Sequence, residues 1–234
     1  MKRHLIIATL LVISSICSIK TFAQSGNSLS RLIDSISVVD KELTLIVVGY
    51  EGCGPCAQLK NSAYFKNLTI GKTYLDILNS REEKFFSQLF FITGFPTSIV
   101  MDAGWNLKSI VLGYRDYEAR MDSVLNLGVN MYDIRLKSVH GQKGTEKEQA
   151  VAMFDNALKA VRCYWQGDYK QMESFALKSR ENGDYLFNNY LLYLTAVKSG
   201  NADMALHYKN EIATRFSDEM NRMVYAEIFT ELQL

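Results

Sequence analysis

The chain has 234 residues, of which 48% are hydrophobic and 22% charged, and its formal net charge at pH 7 is +1. These values are ordinary for a folded protein of one or two domains, and the balanced charge argues against a nucleic-acid partner. Only two prolines are present, Pro55 and Pro96, where an average composition would give about twelve. Neither a Pro-rich linker nor a low-complexity scaffold is therefore expected.

Residues 1–23 are predicted to be a secretory signal peptide. Lys2 and Arg3 form a positive start, residues 5–19 are uncharged and mostly apolar, and a small residue, Ala23, precedes the expected cleavage site. The alternative, a membrane anchor, needs about 20 apolar residues, and this run is shorter. We therefore expect a protein that is secreted across the inner membrane into the periplasm, without a stable membrane anchor, where disulfides persist.

Residues 24–130 show an alternation of helical and strand patterns. Helices are predicted at 28–38, 57–65, 82–91 and 117–127, and strands at 43–48, 74–78, 98–101 and 108–112. The run at 43–48 is continuously apolar, which is typical of a strand buried on both faces. The order predicts an α/β domain with a central mixed sheet flanked by helices.

Residues 131–145 are predicted to be a linker, and residues 146–234 an all-α domain of helical hairpins. Further helices are predicted at 168–181, 185–199, 202–215 and 218–232, after a first helix with an apolar stripe from Val151 to Trp165. Gly167 and Gly200 lie 33 residues apart, each between two helical runs. This spacing resembles tetratricopeptide repeats, and a generic α-hairpin bundle is the open alternative. Because two such units are fewer than the three normally needed, we expect this half to pack on the α/β domain or on a partner.

The sequence Cys53-Gly54-Pro55-Cys56 stands where the apolar strand turns into a helix. A thiolate at a helix N-terminus is stabilised by free N–H groups, which lowers its pKa. Cys53 is the expected nucleophile toward a substrate disulfide, and Cys56 is expected to resolve the mixed disulfide. Gly54 is expected to allow a close approach, and Pro55 fits the first turn because its missing N–H is not needed there. A structural disulfide, a zinc site and a chance pair are the alternatives, but the loop is short and no second pair of cysteines follows.

The segment from 43 to 127 resembles the thioredoxin-like superfamily. Cys53-Gly54-Pro55-Cys56 is similar to the redox motif of that family, and Gly94-Phe95-Pro96-Thr97 is similar to its cis-proline loop. The resemblance implies a cis bond before Pro96, close to the cysteines. It also implies a groove in which Phe95, Pro96 and Thr97 bind the substrate peptide; plain packing is the alternative for the side chains of Phe95 and Thr97.

Three positions depart from the family pattern. Val47 stands where thioredoxins have a buried acid that handles the proton of the resolving thiol, and Glu51 and Asp76 are the nearest carboxylates. Gly52 replaces a tryptophan before the motif, and Asn61 replaces a proline that kinks the helix. Thioredoxin-like rates and potential are therefore not assumed.

The expected function is an extracytoplasmic thiol–disulfide oxidoreductase that reduces protein disulfides. It would need no metal and no cofactor beyond the Cys53–Cys56 disulfide, but it would need an electron donor that the sequence does not identify. The alternatives are a non-catalytic peptide-binding or protein-binding module that uses the helical half, and a disulfide oxidase or isomerase. Cys163 is expected to be a small core residue, and we expect interhelical core rather than a peptide groove for most of the seven aromatic residues around it and after it. These are Tyr164, Trp165, Tyr169, Tyr185, Phe187, Tyr190 and Tyr193.

Overall fold

A computed structural model describes residues 42–78, 81–133 and 147–234. The predicted signal peptide, the predicted helix at 28–38 and all but the first three residues of the predicted linker lie outside these ranges. The first part of the described chain contains β1 (Leu43–Gly49), α1 (Gly54–Asn61), α2 (Ala63–Asn67), β2 (Gly71–Asp76), α3 (Arg81–Leu89), β3 (Thr97–Asp102), β4 (Leu107–Leu112) and α4 (Tyr117–Leu125). The second part contains α5 (Lys147–Gln166), α6 (Tyr169–Asn182), α7 (Leu186–Lys198), α8 (Ala202–Arg215), α9 (Glu219–Val224) and α10 (Ala226–Leu232).

The strands form one mixed sheet in the order β2-β1-β3-β4. β1 runs parallel to β2 and antiparallel to β3, and β3 and β4 form an antiparallel hairpin. The predicted mixed α/β sheet is therefore confirmed. Because β1 is antiparallel to β3, the end of β1 lies beside the start of β3, with Val48 opposite Thr97. The Cys53 segment and the Pro96 segment consequently meet at one end of the sheet.

Side chains alternate between two buried clusters on the two faces of the sheet. On one face, Leu45 and Val47 belong to a cluster that includes Leu59 of α1 and residues of α4. On the other face, Ile46 and Val48 belong to a larger cluster with residues of α3 and of the helices from α5 onward. All four of these strand residues are fully buried. The prediction that the apolar strand is buried on both faces is confirmed, and the covering layers explain why it carries no polar alternation.

The helix predicted at 57–65 is broken into α1 and α2 at Ser62. The backbone of Ser62 is extended, and its side-chain oxygen accepts a hydrogen bond from the backbone N–H of Phe65 at 3.1 Å. The same residue thus ends α1 and caps α2, since a serine at an N-cap satisfies a free N–H of the next helix. The chain bends here without the proline that thioredoxins, which the sequence resembles, place one residue earlier.

The helical part consists of two hairpins with the same turn, followed by a short helical pair. Gly167 and Gly200 have positive φ angles of 75° and 73°, and the residues after them, Asp168 and Asn201, cap the next helices with their side chains. The periodicity seen in the sequence therefore corresponds to a repeated helix–turn–helix geometry. Tetratricopeptide-like identity stays a prediction. The last predicted helix, 218–232, is two helices that meet at Tyr225.

The helical part packs on the sheet through a shared core and buried hydrogen bonds. The Tyr185 hydroxyl donates to the Leu89 carbonyl at 2.9 Å, and the Tyr225 hydroxyl donates to the Gln88 carbonyl at 3.1 Å. Across the β3–β4 hairpin, an Asp155 carboxylate oxygen accepts from the backbone N–H of Leu107 at 2.7 Å. The expectation that this half packs on the α/β part is confirmed.

The start of the predicted linker is docked on the edge of β4. Tyr132 forms a parallel bridge with Ile110, and the carboxylate of Asp133 accepts from the backbone N–H of Leu112 and pairs with Arg120. Residues 131–133 therefore extend the α/β part by one further chain segment.

Candidate redox site

Cys53 and Cys56 form a disulfide whose Cα atoms lie 5.2 Å apart. Cys53 is the N-cap of α1, and its Sγ accepts a hydrogen bond from the backbone N–H of Cys56 at 3.2 Å. The first N–H groups of a helix have no partner within it, so a sulfur at this place lies in a positive local field. The predicted placement of the pair between a buried strand and a helix is confirmed.

The two cysteines differ in their exposure. Cys53 is 6% exposed and borders an open pocket, whereas Cys56 is 1% exposed and faces the interior. Of the two sulfurs, that of Cys53 is thus the one that an incoming molecule meets first. This order matches the roles expected from the sequence, which stay predictions.

Gly52, directly before the disulfide, is required by its backbone conformation and not by a lack of space for a side chain. Gly52 has φ of +90°, and no described atom lies within 4 Å of a Cβ built on it. Gly54 also has open space at its Cβ position, without a positive φ, so the close approach expected at Gly54 involves no described part of the chain. Pro55 lies in the first turn of α1, as predicted.

The second motif forms a loop that joins α3 to β3 and contacts the disulfide segment. The peptide bond between Phe95 and Pro96 is cis, as the resemblance implies. The ring of Phe95 meets the ring of Tyr50 edge to face, with centroids 5.3 Å apart, and the backbone N–H of Cys53 donates to the Tyr50 carbonyl at 3.2 Å. Through Tyr50, the cis-proline loop and the disulfide are held side by side.

Phe95 and Thr97 lie differently within this loop. Phe95 is half-buried, so part of its side chain is exposed to solvent. Thr97 is 2% exposed, and its hydroxyl donates to the Gly94 carbonyl at 2.7 Å. The Thr97 side chain therefore stabilises the turn itself. The Pro96 carbonyl accepts from the backbone N–H of Gly113 at 2.7 Å, which ties the loop to the end of β4. Contact of these residues with a substrate stays a prediction.

An open pocket of about 360 Å³ borders Cys53. Its wall carries both carboxylates that the sequence singled out, Glu51 and Asp76, together with Lys60 of α1. Opposite charges thus stand around one cleft beside the disulfide.

Val47, at the position of the acid that thioredoxins bury, is fully buried and apolar. Its neighbour across the parallel pair of strands is Tyr74, whose hydroxyl reaches over Gly49 toward Cys56. Burial and the charge of Asp76 raise the pKa of the Tyr74 hydroxyl. The sequence placed Tyr74 in a strand but did not identify it as part of the site; the register between β1 and β2 is the signal that does.

The other cysteine and the singled-out aromatic residues lie in the core, away from this site. Cys163 is a buried free thiol on α5, and burial raises its pKa. Tyr185, Phe187 and Tyr190 are buried, and the other four pack against the same cluster, which confirms the core prediction. Within residues 42–78, 81–133 and 147–234 there is no group of three or more potential metal ligands.

Comparison with models of protein families and with curated proteins finds no match to this chain. Within the described ranges, none of the helices combines the length and the apolar character that crossing a membrane requires.

Proposed function

We propose that this chain is a thioredoxin-like thiol–disulfide oxidoreductase that reduces protein disulfides outside the cytoplasm. The observation that carries the proposal is the Cys53–Cys56 disulfide at the N-terminus of α1, with Cys53 as the cap of the helix. The cis-proline loop beside it and the mixed sheet below it support the same conclusion.

The catalytic cycle begins with the dithiol form. The Cys53 thiolate attacks one sulfur of a substrate disulfide; a bond forms between Cys53 and that sulfur, and the other substrate sulfur leaves as a thiolate that takes a proton from solvent. The Cys56 thiolate then attacks Cys53, the mixed disulfide breaks, and the second substrate thiolate is released. Two electrons pass to the substrate, and the Cys53–Cys56 disulfide is restored.

The difference in position between the two sulfurs supports different tasks for them. Cys53 is the more accessible and lies at the positive end of α1, which favours its thiolate at neutral pH. Cys56 lies one helical turn on, and in the disulfide form its sulfur is within bonding distance of that of Cys53, so its attack on the mixed disulfide is intramolecular. A dithiol donor would return the pair to the reduced form by the same exchange chemistry in reverse.

A disulfide-reduction assay tests the proposal. Wild-type protein is expected to accelerate the reduction of insulin disulfides by dithiothreitol, and Cys53→Ser is expected to abolish the acceleration. Cys163→Ser, which removes a buried thiol of the helical part, is the matched control and should retain it. A wild-type chain without acceleration, or a Cys53→Ser variant with full activity, contradicts the proposal and favours the binding-module alternative.

Equilibration with glutathione separates a reductase from an oxidase. A reductase needs a disulfide form that is comparatively stable, so only a small fraction of dithiol is expected in mildly reducing glutathione buffer. An equilibrium that lies strongly toward the dithiol contradicts the reducing direction. Capture of mixed disulfides by Cys56→Ser in the periplasm would identify the substrates, since the trapped intermediate cannot be resolved.

A further inference from the structure

A tyrosine hydroxyl lies beside the buried sulfur of the redox pair. A Cβ built on Gly49 would lie 3.1 Å from Cys56 Sγ, and it would overlap the hydroxyl oxygen of Tyr74. The hydroxyl and the sulfur are therefore neighbours across the space that Gly49 leaves open. A side chain at position 49 would displace the tyrosine, so the glycine is what admits it.

The sheet register explains why the tyrosine reaches this place. Tyr74 is paired with Val47, and Asp76 is paired with Gly49, in the parallel ladder between β1 and β2. Side chains lean along the strand, so the phenol ring of Tyr74 extends from the level of Val47 to that of Gly49. Lys60 of α1 lies over the ring, with Nζ 4.9 Å from the centroid, and holds it from the helix side.

The surroundings of Cys56 explain why a hydrogen-bond donor beside its sulfur would favour the thiolate form. Cys56 is 1% exposed, and the adjacent strand residue Val47 is fully buried and apolar. A buried thiol in apolar surroundings resists ionisation, yet the second step of the exchange requires its thiolate. Tyr74 is half-buried, and its hydroxyl lies near Cys56 Sγ across the open side of Gly49. The hydroxyl is therefore placed to donate to that sulfur when the disulfide opens.

We propose, on the basis of the proposed reductase function, that the Tyr74 hydroxyl donates a hydrogen bond to the Cys56 thiolate and so promotes resolution of the mixed disulfide. The proton of Cys56 itself passes to solvent through the adjoining pocket. Tyr74 remains protonated throughout, because burial and Asp76 raise its pKa. It therefore acts as a donor that stabilises the thiolate and not as a base.

The charged groups that face this pair act in known directions. Glu51 and Asp76 line the pocket, and their negative charges disfavour a thiolate at Cys56, whereas the positive charge of Lys60 favours it. Because Tyr74→Phe leaves all three of these charged groups in place, any change in the Cys56 titration on removal of the hydroxyl reports the lost hydrogen bond.

Stopped-flow reaction of the reduced protein with Ellman's reagent measures the two exchange steps separately. The first thiolate released reports attack by Cys53, and the second reports attack by Cys56 on the mixed disulfide. Cys17→Ser and Cys163→Ala are placed in the background, so that the redox pair supplies all the thiols. Tyr74→Phe is expected to slow the second phase at pH 7 by roughly ten-fold or more, and to leave the first phase unchanged. The pH midpoint of the second phase is expected to rise by about one unit, so that the variants converge in alkaline buffer.

Tyr132→Phe is the matched control. Tyr132 is half-buried, lies near Asp155 and has a raised pKa for the same two reasons, but it stands at the opposite edge of the sheet. It should keep both phases and the pH midpoint. If Tyr74→Phe changes neither phase, slows both phases equally or leaves the midpoint in place, the role of Tyr74 is refuted while the proposed function stands. If the wild-type chain gives no two-phase reaction, the proposed function itself fails.

Discussion

Replacing Tyr185 by phenylalanine tests whether the helical part and the sheet unfold as one unit. Tyr185 is 1% exposed, and its hydroxyl donates to the Leu89 carbonyl at the end of α3. The substitution keeps the ring but leaves that carbonyl without its donor, in a place that water does not reach. Such a loss costs about 1–3 kcal/mol, the desolvation penalty of an unpaired buried acceptor.

The cost is expected to appear in both parts of the chain, because Tyr185 belongs to the cluster that contains Ile46 and Val48 of β1. Amide hydrogen exchange followed by mass spectrometry reads the two parts separately. Peptides covering β1 and peptides covering α7 should both exchange roughly 5- to 150-fold faster than in the wild type, which corresponds to the same free-energy loss.

Tyr193→Phe is the control for this experiment. Tyr193 is a half-buried tyrosine of α7 that stacks on Tyr190, and its replacement should change stability by less than about 0.5 kcal/mol. If Tyr185→Phe accelerates exchange in α7 while β1 keeps its wild-type protection, the two parts unfold independently. The reasoning from a shared core would then be refuted.

Three further substitutions test the backbone beside the disulfide and the alkaline stability of the core beside α4. Gly52→Ala forces an L side chain into a positive φ and should lower the free energy of unfolding, measured by urea titration, by about 1–2 kcal/mol. Gly54→Ala is the control, because Gly54 has open space at its Cβ position and no positive φ. Its free energy of unfolding should stay within about 0.5 kcal/mol of the wild type. Equal losses would contradict this assignment of strain. Burial raises the pKa of Tyr117 to about 12, so the unfolded chain loses this proton near pH 10 while the native chain keeps it. Stability should therefore fall as pH rises from 10 to 12, and less steeply in Tyr117→Phe; identical slopes of the urea midpoint against pH would contradict the shift.

The bounds of the strands that carry apolar runs were predictable from sequence, and the start of β2 was not. β1, β3 and β4 are rich in Leu, Ile, Val and Met, and their predicted bounds differ from the observed ones by one residue or less at either end. β2 begins at Gly71, three residues before the prediction, because Gly71, Lys72 and Thr73 carry no apolar pattern. Their place in the sheet comes from pairing with Thr44, Leu45 and Ile46, a contact between distant parts of the chain.

The breaks within the predicted helices come from local caps that periodicity does not register. Ser62 has a helix on each side, and its hydroxyl oxygen replaces one of the hydrogen bonds lost at the break. Tyr225 separates α9 from α10 and sends its hydroxyl to Gln88 of α3. The first break could have been suspected from the serine, which is favoured at helix N-caps, but the second depends on a partner more than a hundred residues away.

The cysteine pair and the cis-proline loop were accessible to sequence reasoning because each consists of recognisable residue types at short spacing. Tyr74 was not, since a tyrosine in a strand is ordinary until its neighbours are known. Three long-range contacts place Tyr74 in the site: the residue pairs with the apolar Val47, its ring passes over the backbone of Gly49, and its hydroxyl lies beside Cys56. Where thioredoxins bury an acid, this chain buries a valine and brings a protonated hydroxyl from the adjacent strand. Val47 and Tyr74 thus form one local arrangement, and the role proposed for Tyr74 lies in the second phase of the exchange.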